Sequence, residues 1–352
     1  MFNPALLTVT CYFFLNLVVT LTNKQLVSLI SCPYLLTASH AFCTFVSTNV
    51  IALLQRHASD GQCQTKSTST NLSLRTHAIL VCFSLLYITN IAVSNLSLGL
   101  VSLSLHQTIR ATAPAITVLL CVTLLRRPLT SYSTSTYLSL IPTTIGVILA
   151  TTSPHPDNTT SPGPKASLSG IALTFLGAVL AVLKTVLTNT LQRRAGRLSV
   201  DLPSTTLIRY LSPYAVAQAL LFALWTGEFQ RLRSIISSLF TTSTEGRILA
   251  TAATNVLAAA TLNLASFEAN RRCGPLAMAV AANLKQVLIL LIGRHVGGDG
   301  WRVMTGALMT IVGGVWYSFA QRQTQKPSPD NGEMVMEKHG LHYVGRERLG
   351  GL

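Results

Sequence analysis

Apolar residues in this chain come in long blocks, not at the spacing of a surface helix. Ten blocks stand out, at roughly 5–22, 33–54, 76–96, 100–124, 134–152, 168–190, 206–226, 248–266, 275–293 and 301–320. Each is about as long as a helix needs to cross a hydrocarbon core of roughly 30 Å. Lipid gives an open backbone no hydrogen-bond partners, so the blocks predict helices. They are rich in Ser, Thr, Ala and Gly, which suits close helix packing in lipid. The blocks at 100–124 and 248–266 are the least apolar, so their ends are the softest. The fold expected is an all-α polytopic membrane protein with ten transmembrane helices.

The pattern also repeats. GLVSLSLHQTIR at 99–110 overlays GPLAMAVAANLK at 274–285. Both open on glycine, small residues meet small ones, apolar residues meet apolar ones, and each closes on a cation. Leu21-Thr22-Asn23 in the first block matches Leu187-Thr188-Asn189 in the sixth, and Thr143-Thr144-Ile145-Gly146 in the fifth matches Thr310-Ile311-Val312-Gly313 in the tenth. The spacing is consistently five blocks. Five is odd, so the two copies must lie in opposite orientations, as two inverted five-helix repeats. The division expected is 1–152 for the first repeat, 153–167 for a Pro-rich connecting loop, 168–320 for the second repeat, and 321–352 for a polar, disordered tail.

Composition agrees with a membrane domain: 49% of residues are hydrophobic and 11% charged, too few charges to cover a soluble protein of this size. The net charge of +15 would suggest nucleic acid in a soluble chain. Here it reads as the excess of Lys and Arg in cytosolic loops, and no nucleic-acid role is expected. With the N-terminus cytosolic, fifteen Lys and Arg fall on the cytosolic side, seven on the other, and four within blocks. Both termini are therefore expected in the cytosol. Only MFNP precedes the first block, so neither a removable signal peptide nor a transit peptide is expected. The expected home is an endomembrane, endoplasmic reticulum or Golgi. The sequon at Asn158 lies on the luminal side and is a glycosylation candidate; the one at Asn71 faces the cytosol. The seven cysteines show no CxxC spacing, so no disulfide framework or metal site is expected.

The chemistry rests on the cations inside the blocks. Arg110 and Lys285 each sit some ten helical residues into a span, which is about 15 Å and close to the midplane. A cation there is costly and faces a cavity or a partner. Two in repeated positions suggest one anion site shared by both halves. The alternatives are pairing with helix carbonyls or snorkelling. His106 lies one turn before Arg110 on the same face, as a substrate contact or as a packed histidine. Gln286 could hydrogen-bond substrate or join two helices. Lys184, nearer the cytosolic end of its block, reads as a snorkelling lysine, with a second-rank anion contact as its alternative, and Arg209 reads as an interfacial anchor. Tyr87 and Asn90 are candidate cavity lining or packed polar residues. Asn23 and Lys24 could touch substrate or a gate.

These stretches resemble a known family. NLSLGLVSLSLHQTIRATAP at 95–114 resembles the fourth-span signature of the triose-phosphate/nucleotide-sugar transporter family, within the drug/metabolite transporter superfamily. TLTNKQL at 20–26 resembles its first-span Asn-Lys motif, and NLASFEANRRCGPLAMAVAANLKQVLILLIG at 263–293 its eighth-to-ninth-span region. The resemblance is to fungal-type members and covers about 5–320. It implies a ten-span inverted repeat and exchange of phosphorylated sugars or nucleotide sugars, with no cofactor. There are departures. Plastid-type members carry adjacent Lys-Arg where this chain has Lys285-Gln286, and the FYNN and GALNK motifs of GDP-mannose transporters are not found.

The function expected is an antiporter that exchanges an anionic small molecule for a phosphate-bearing counter-substrate by alternating access. No span interior holds Asp or Glu, which disfavours proton coupling; only His106 could carry a proton. The alternatives are a proton-coupled or non-phosphate metabolite carrier, a transport-inactive membrane protein, or a membrane enzyme. HExxH, GxSxG and paired carboxylates are not found, so no enzyme activity is expected. Membrane lipid is the other partner, and the sequence leaves room for a homodimer.

Overall fold

The computed structural model describes residues 4–59, 73–98, 100–101, 103–152, 168–192, 200, 202–239, 245–293 and 300–324. Asn158 and residues 325–352 of the expected tail lie outside them; residues 321–324, expected in the disordered tail, continue the last helix. Eleven α-helices run through the described residues: α1 Pro4–Ile30, α2 Pro33–Ser59, α3 Leu74–Leu98, α4 Leu103–Arg110, α5 Ala113–Thr123, α6 Thr134–Thr151, α7 Leu168–Leu191, α8 Ser204–Trp225, α9 Glu228–Leu239, α10 Glu245–Gly293 and α11 Gly300–Thr324. No strand occurs among the described residues. Prolines mark several starts, at Pro4, Pro33 and Pro203, where a missing N–H costs a helix nothing. Ser133 caps α6 by accepting from the N–H of Thr136 at 3.2 Å.

Eight helical segments among the described residues are long and apolar enough to cross a bilayer. The eighth and ninth blocks of the sequence lie on one 49-residue helix, α10, and count as a single segment; the first block lies on α1, outside the eight. The helix α10 is not continuous in geometry. Gly274 takes φ 82° and ψ 170°, and Pro275 follows. Only glycine adopts that backbone freely, and the proline then opens a second helical arm. The fourth block is divided as well. Its helix stops at Arg110, turns through Ala111 and Thr112, and restarts as α5 with Pro114 in its first turn. The amphipathic α9 is a helix that block-reading does not find.

The helices pack pairwise. α1 lies along α10, α3 along α7, α2 against α8, and α6 against α11. The last seam is the tightest, and its contacts are reciprocal. A Cβ at Gly146 would meet Gly306 O at 2.5 Å, Thr310 Oγ1 at 2.5 Å and Thr310 N at 2.6 Å. A Cβ at Gly313 would meet Thr143 Oγ1, Thr143 N at 2.6 Å and Ser139 O at 3.0 Å. Thr143 Oγ1 donates back to Ser139 O, and Thr310 Oγ1 to Gly306 O, both at 2.8 Å. The matching Thr-x-x-Gly motifs of the sequence are therefore packed against each other, antiparallel, each glycine in the other's threonine.

At one end of the bundle α9 ties two corners together. The Glu228 carboxylate, 1% exposed, accepts the N–H of Tyr34 at 3.1 Å and of Leu35 at 2.8 Å. It thereby caps α2 from a distant part of the chain. Arg231 donates to Ser31 O at 3.3 Å and to Thr226 O at 3.0 Å.

Candidate functional site

The site begins where α4 breaks. The helix breaks past Arg110, where Pro114 brings no N–H to the carbonyl of Arg110 one turn behind it. Two carbonyls beside this break take donors from α10. Asn283 Nδ2 donates to Ala111 O at 3.0 Å, and Gln286 Nε2 donates to Gln107 O at 3.1 Å. Arg110 and Lys285 sit between these two cross-links, one on each element. The repeated Gly-to-cation motifs are thus brought side by side, and Gln286 serves here as an interhelical bond.

The cations then lean on two other helices, α3 and α1. Arg110 Nη1 donates to Ser94 Oγ on α3 at 2.6 Å. Lys285 Nζ donates to Asn16 Oδ1 at 3.1 Å and Thr20 Oγ1 at 3.4 Å on α1. The ammonium of Lys184, on α7, lies over the Tyr87 ring on α3, 4.8 Å from its centroid, a cation–π contact. All three cations are half-buried.

No carboxylate among the described residues balances them. Glu228 is spent on α2. Glu268 accepts from Ser204 at 2.6 Å and pairs with Arg271 at 3.3 Å and Arg272 at 2.6 Å. Three partly desolvated cations held by hydroxyls, an amide oxygen and a π face are an unneutralised positive centre. Such a centre takes an anion: guanidinium offers a planar fork, and each ammonium a point charge.

His106 is buried at 4% exposure, and its Nδ1 meets no partner. Asn90 is buried at 8%, and its Oδ1 meets none either. Asn23 lies elsewhere. Asn255 Nδ2 donates to Thr22 Oγ1 at 2.7 Å and to Asn23 Oδ1 at 2.8 Å, while Asn255 Oδ1 pairs with His40 Nε2 at 2.6 Å. That knot joins α1, α2 and α10. Lys24 is on α1, but its side chain lies outside the described residues. Sequence reading passed over Ser94, Asn16 and Thr20. Their signal is a polar stripe on an apolar helix. Tyr12, Asn16 and Thr20 are four apart on α1, with Asn16 Nδ2 donating to Tyr12 Oη at 2.8 Å. Tyr87, Asn90 and Ser94 share one face of α3.

Residues 4–318 match the Triose-phosphate Transporter family. The chain belongs to the triose-phosphate transporter family. Two curated relatives of this transporter come from Arabidopsis thaliana. UDP-xylose transporter 1 is 24% identical over 279 residues, 76% of this chain and 73% of the relative. A probable sugar phosphate/phosphate translocator is 25% identical over 335 residues, 92% of this chain and 84% of the relative. A crystal structure of another protein aligns with 92% of this chain and 99% of its own, with a TM-score of 0.59 and 13% identity. At that identity the likeness concerns the fold alone.

Proposed function

We propose that this transporter exchanges a phosphorylated sugar or nucleotide sugar for a phosphate-bearing counter-substrate, by alternating access across an endomembrane. The observation that carries the reading is that Arg110 and Lys184 rest on one face of α3, with Lys285 beside Arg110 across the Asn283 and Gln286 bonds, and no carboxylate among the described residues pairs with them. The relatives' names, a UDP-xylose transporter and a sugar phosphate/phosphate translocator, support the same class of cargo. An endoplasmic reticulum or Golgi location goes with the nucleotide-sugar relative, and both termini are cytosolic by the balance of Lys and Arg.

The cations suggest how closure follows charge. Arg110 and Lys184 rest on α3, while Lys285 rests on α1. An anion bound among them draws the two supports together. The reciprocal α6–α11 seam supports two inverted five-helix units, with residues 1–152 and 168–320 as the units and their shared site at the cations. An empty site must carry its positive charge through a closed, dry state, which costs several kcal/mol per unpaired charge. The loaded transporter closes; the empty one does so slowly. That is exchange, not enzyme chemistry.

Counterflow in proteoliposomes tests this. Labelled sugar phosphate or nucleotide sugar should enter rapidly only when the vesicles are preloaded with inorganic phosphate or a nucleoside monophosphate. Uncoupler should leave the rate unchanged. Concentrative uptake into empty vesicles, driven by a pH gradient, would overturn exchange and make His106 the proton carrier.

A further inference from the structure

Every charged group in the site donates. Arginine and lysine have no acceptor atom, and a phosphate bound to them only accepts. The uncharged part of a phosphorylated sugar is different, because each of its hydroxyls needs an acceptor as well as a donor. On the α3 face that carries the cations, one such acceptor stands free. Asn90 comes three residues after Tyr87, which supports Lys184, and four before Ser94, which holds Arg110. Residues at these intervals lie on one side of a helix. Asn90 is 8% exposed, and its Oδ1 has no hydrogen-bond partner. Buried polar atoms are nearly always paired, so an orphan needs an explanation.

We infer that the amide oxygen of Asn90 accepts a hydroxyl of the substrate and selects phosphates that carry hydroxyls over phosphates that do not. The inference rests on the cation site proposed above. The spacing fits: one helical turn, about 6 Å, separates Asn90 from the Arg110–Ser94 contact. That is the reach from a phosphate to the hydroxylated carbons of an attached sugar. A site with a buried group awaiting a hydroxyl rejects the analogue without one, because the group is then left unpaired in the closed state.

The test compares three labelled probes in preloaded proteoliposomes: inorganic phosphate, phosphoenolpyruvate, which has no hydroxyl, and a hexose phosphate. Wild type should prefer the hexose phosphate to phosphoenolpyruvate. Asn90→Leu and Asn90→Ala should lower hexose phosphate exchange about 10–100-fold and leave phosphate–phosphate exchange within about threefold. The preference over phosphoenolpyruvate should vanish. A second reading separates recognition from packing. Replacing an unpaired buried polar group by an apolar one of similar size is neutral or stabilising, so Asn90→Leu should keep or raise the melting temperature. An equal loss for all three probes, or a lowered melting temperature, makes Asn90 structural and overturns the inference. If wild type exchanges none of the three, the inference is overturned; if it also fails to exchange a nucleotide sugar for a nucleoside monophosphate, the cation site itself is wrong. If wild type exchanges all three alike, the selectivity alone is refuted.

Discussion

Glu228 gives the sharpest structural test, because its role can be worked out bond by bond. Two of the first-turn N–H groups of α2 have no intrahelical acceptor, and the carboxylate takes both, at 3.1 Å and 2.8 Å. A hydrogen bond to a charged group contributes about 1.5–3 kcal/mol. Tyr34 and Leu35 are only half-buried, so water entering the gap offsets part of the loss. Glu228→Ala should therefore cost about 2–4 kcal/mol in total. At about 2–4 °C per kcal/mol, the melting temperature should fall by roughly 4–16 °C. Glu228→Gln keeps one acceptor oxygen but turns an NH2 toward the other donor, so it should fall between. The assay is thermal unfolding of the purified protein in detergent, joined to mass-spectrometric thiol labelling of Cys32. That thiol is 4% exposed and donates to Glu228 O at 3.6 Å. It should label faster in the alanine variant. A melting temperature within 1 °C of wild type, with Cys32 no more reactive, would refute the cap.

Three other outcomes are expected. Arg110→Ala and Lys285→Ala should each remove exchange while the protein stays folded, since an unpaired substrate charge costs about 3–5 kcal/mol; Arg110→Lys should keep part of it, and normal transport by both alanine variants would move the site elsewhere. Gly306→Ala should destabilise by about 1–3 kcal/mol, because its Cβ would meet Gly146 O and Ala150 N, the latter at 2.6 Å, whereas Gly246→Ala, with nothing within 4 Å, should be neutral or slightly stabilising; equal melting temperatures would contradict the seam. Glycosylation tags placed at 153–166 should be modified and tags at 55–75 should not, and the reverse pattern would invert the orientation.

Much of this was legible before any coordinates. The apolar blocks specify helices because lipid permits little else, and the Gly-to-cation repeat singled out the two stretches that the Asn283 and Gln286 bonds hold together. What the chain did not disclose depends on direction. Ser94, Asn16 and Thr20 are ordinary small polar residues of membrane helices, and only the faces they share with Asn90 and Tyr12 bring them to the cations. Lys184 read as a snorkelling lysine because its distance along the helix was visible and the Tyr87 ring was not. The helix α9 is short and carries Glu228, Arg231 and Arg233 among its twelve residues, so no apolar block marks it. The break after Arg110 follows from Pro114, yet a proline inside a helix need not break it: Pro142 and Pro213 lie inside α6 and α8.

The α6–α11 seam bears on ancestry. A contact in which Gly146 enters Thr310 and Gly313 enters Thr143 is self-complementary, the kind two identical subunits form about a two-fold axis. One five-helix polypeptide bearing a single Thr-x-x-Gly ridge, inserted into the bilayer both ways up, would meet its own copy through that ridge without acquiring a new residue. Gene fusion would then have needed to supply only a linker. On such a history the two ridges would have diverged only together, since a side chain gained on either would strike the backbone of the other.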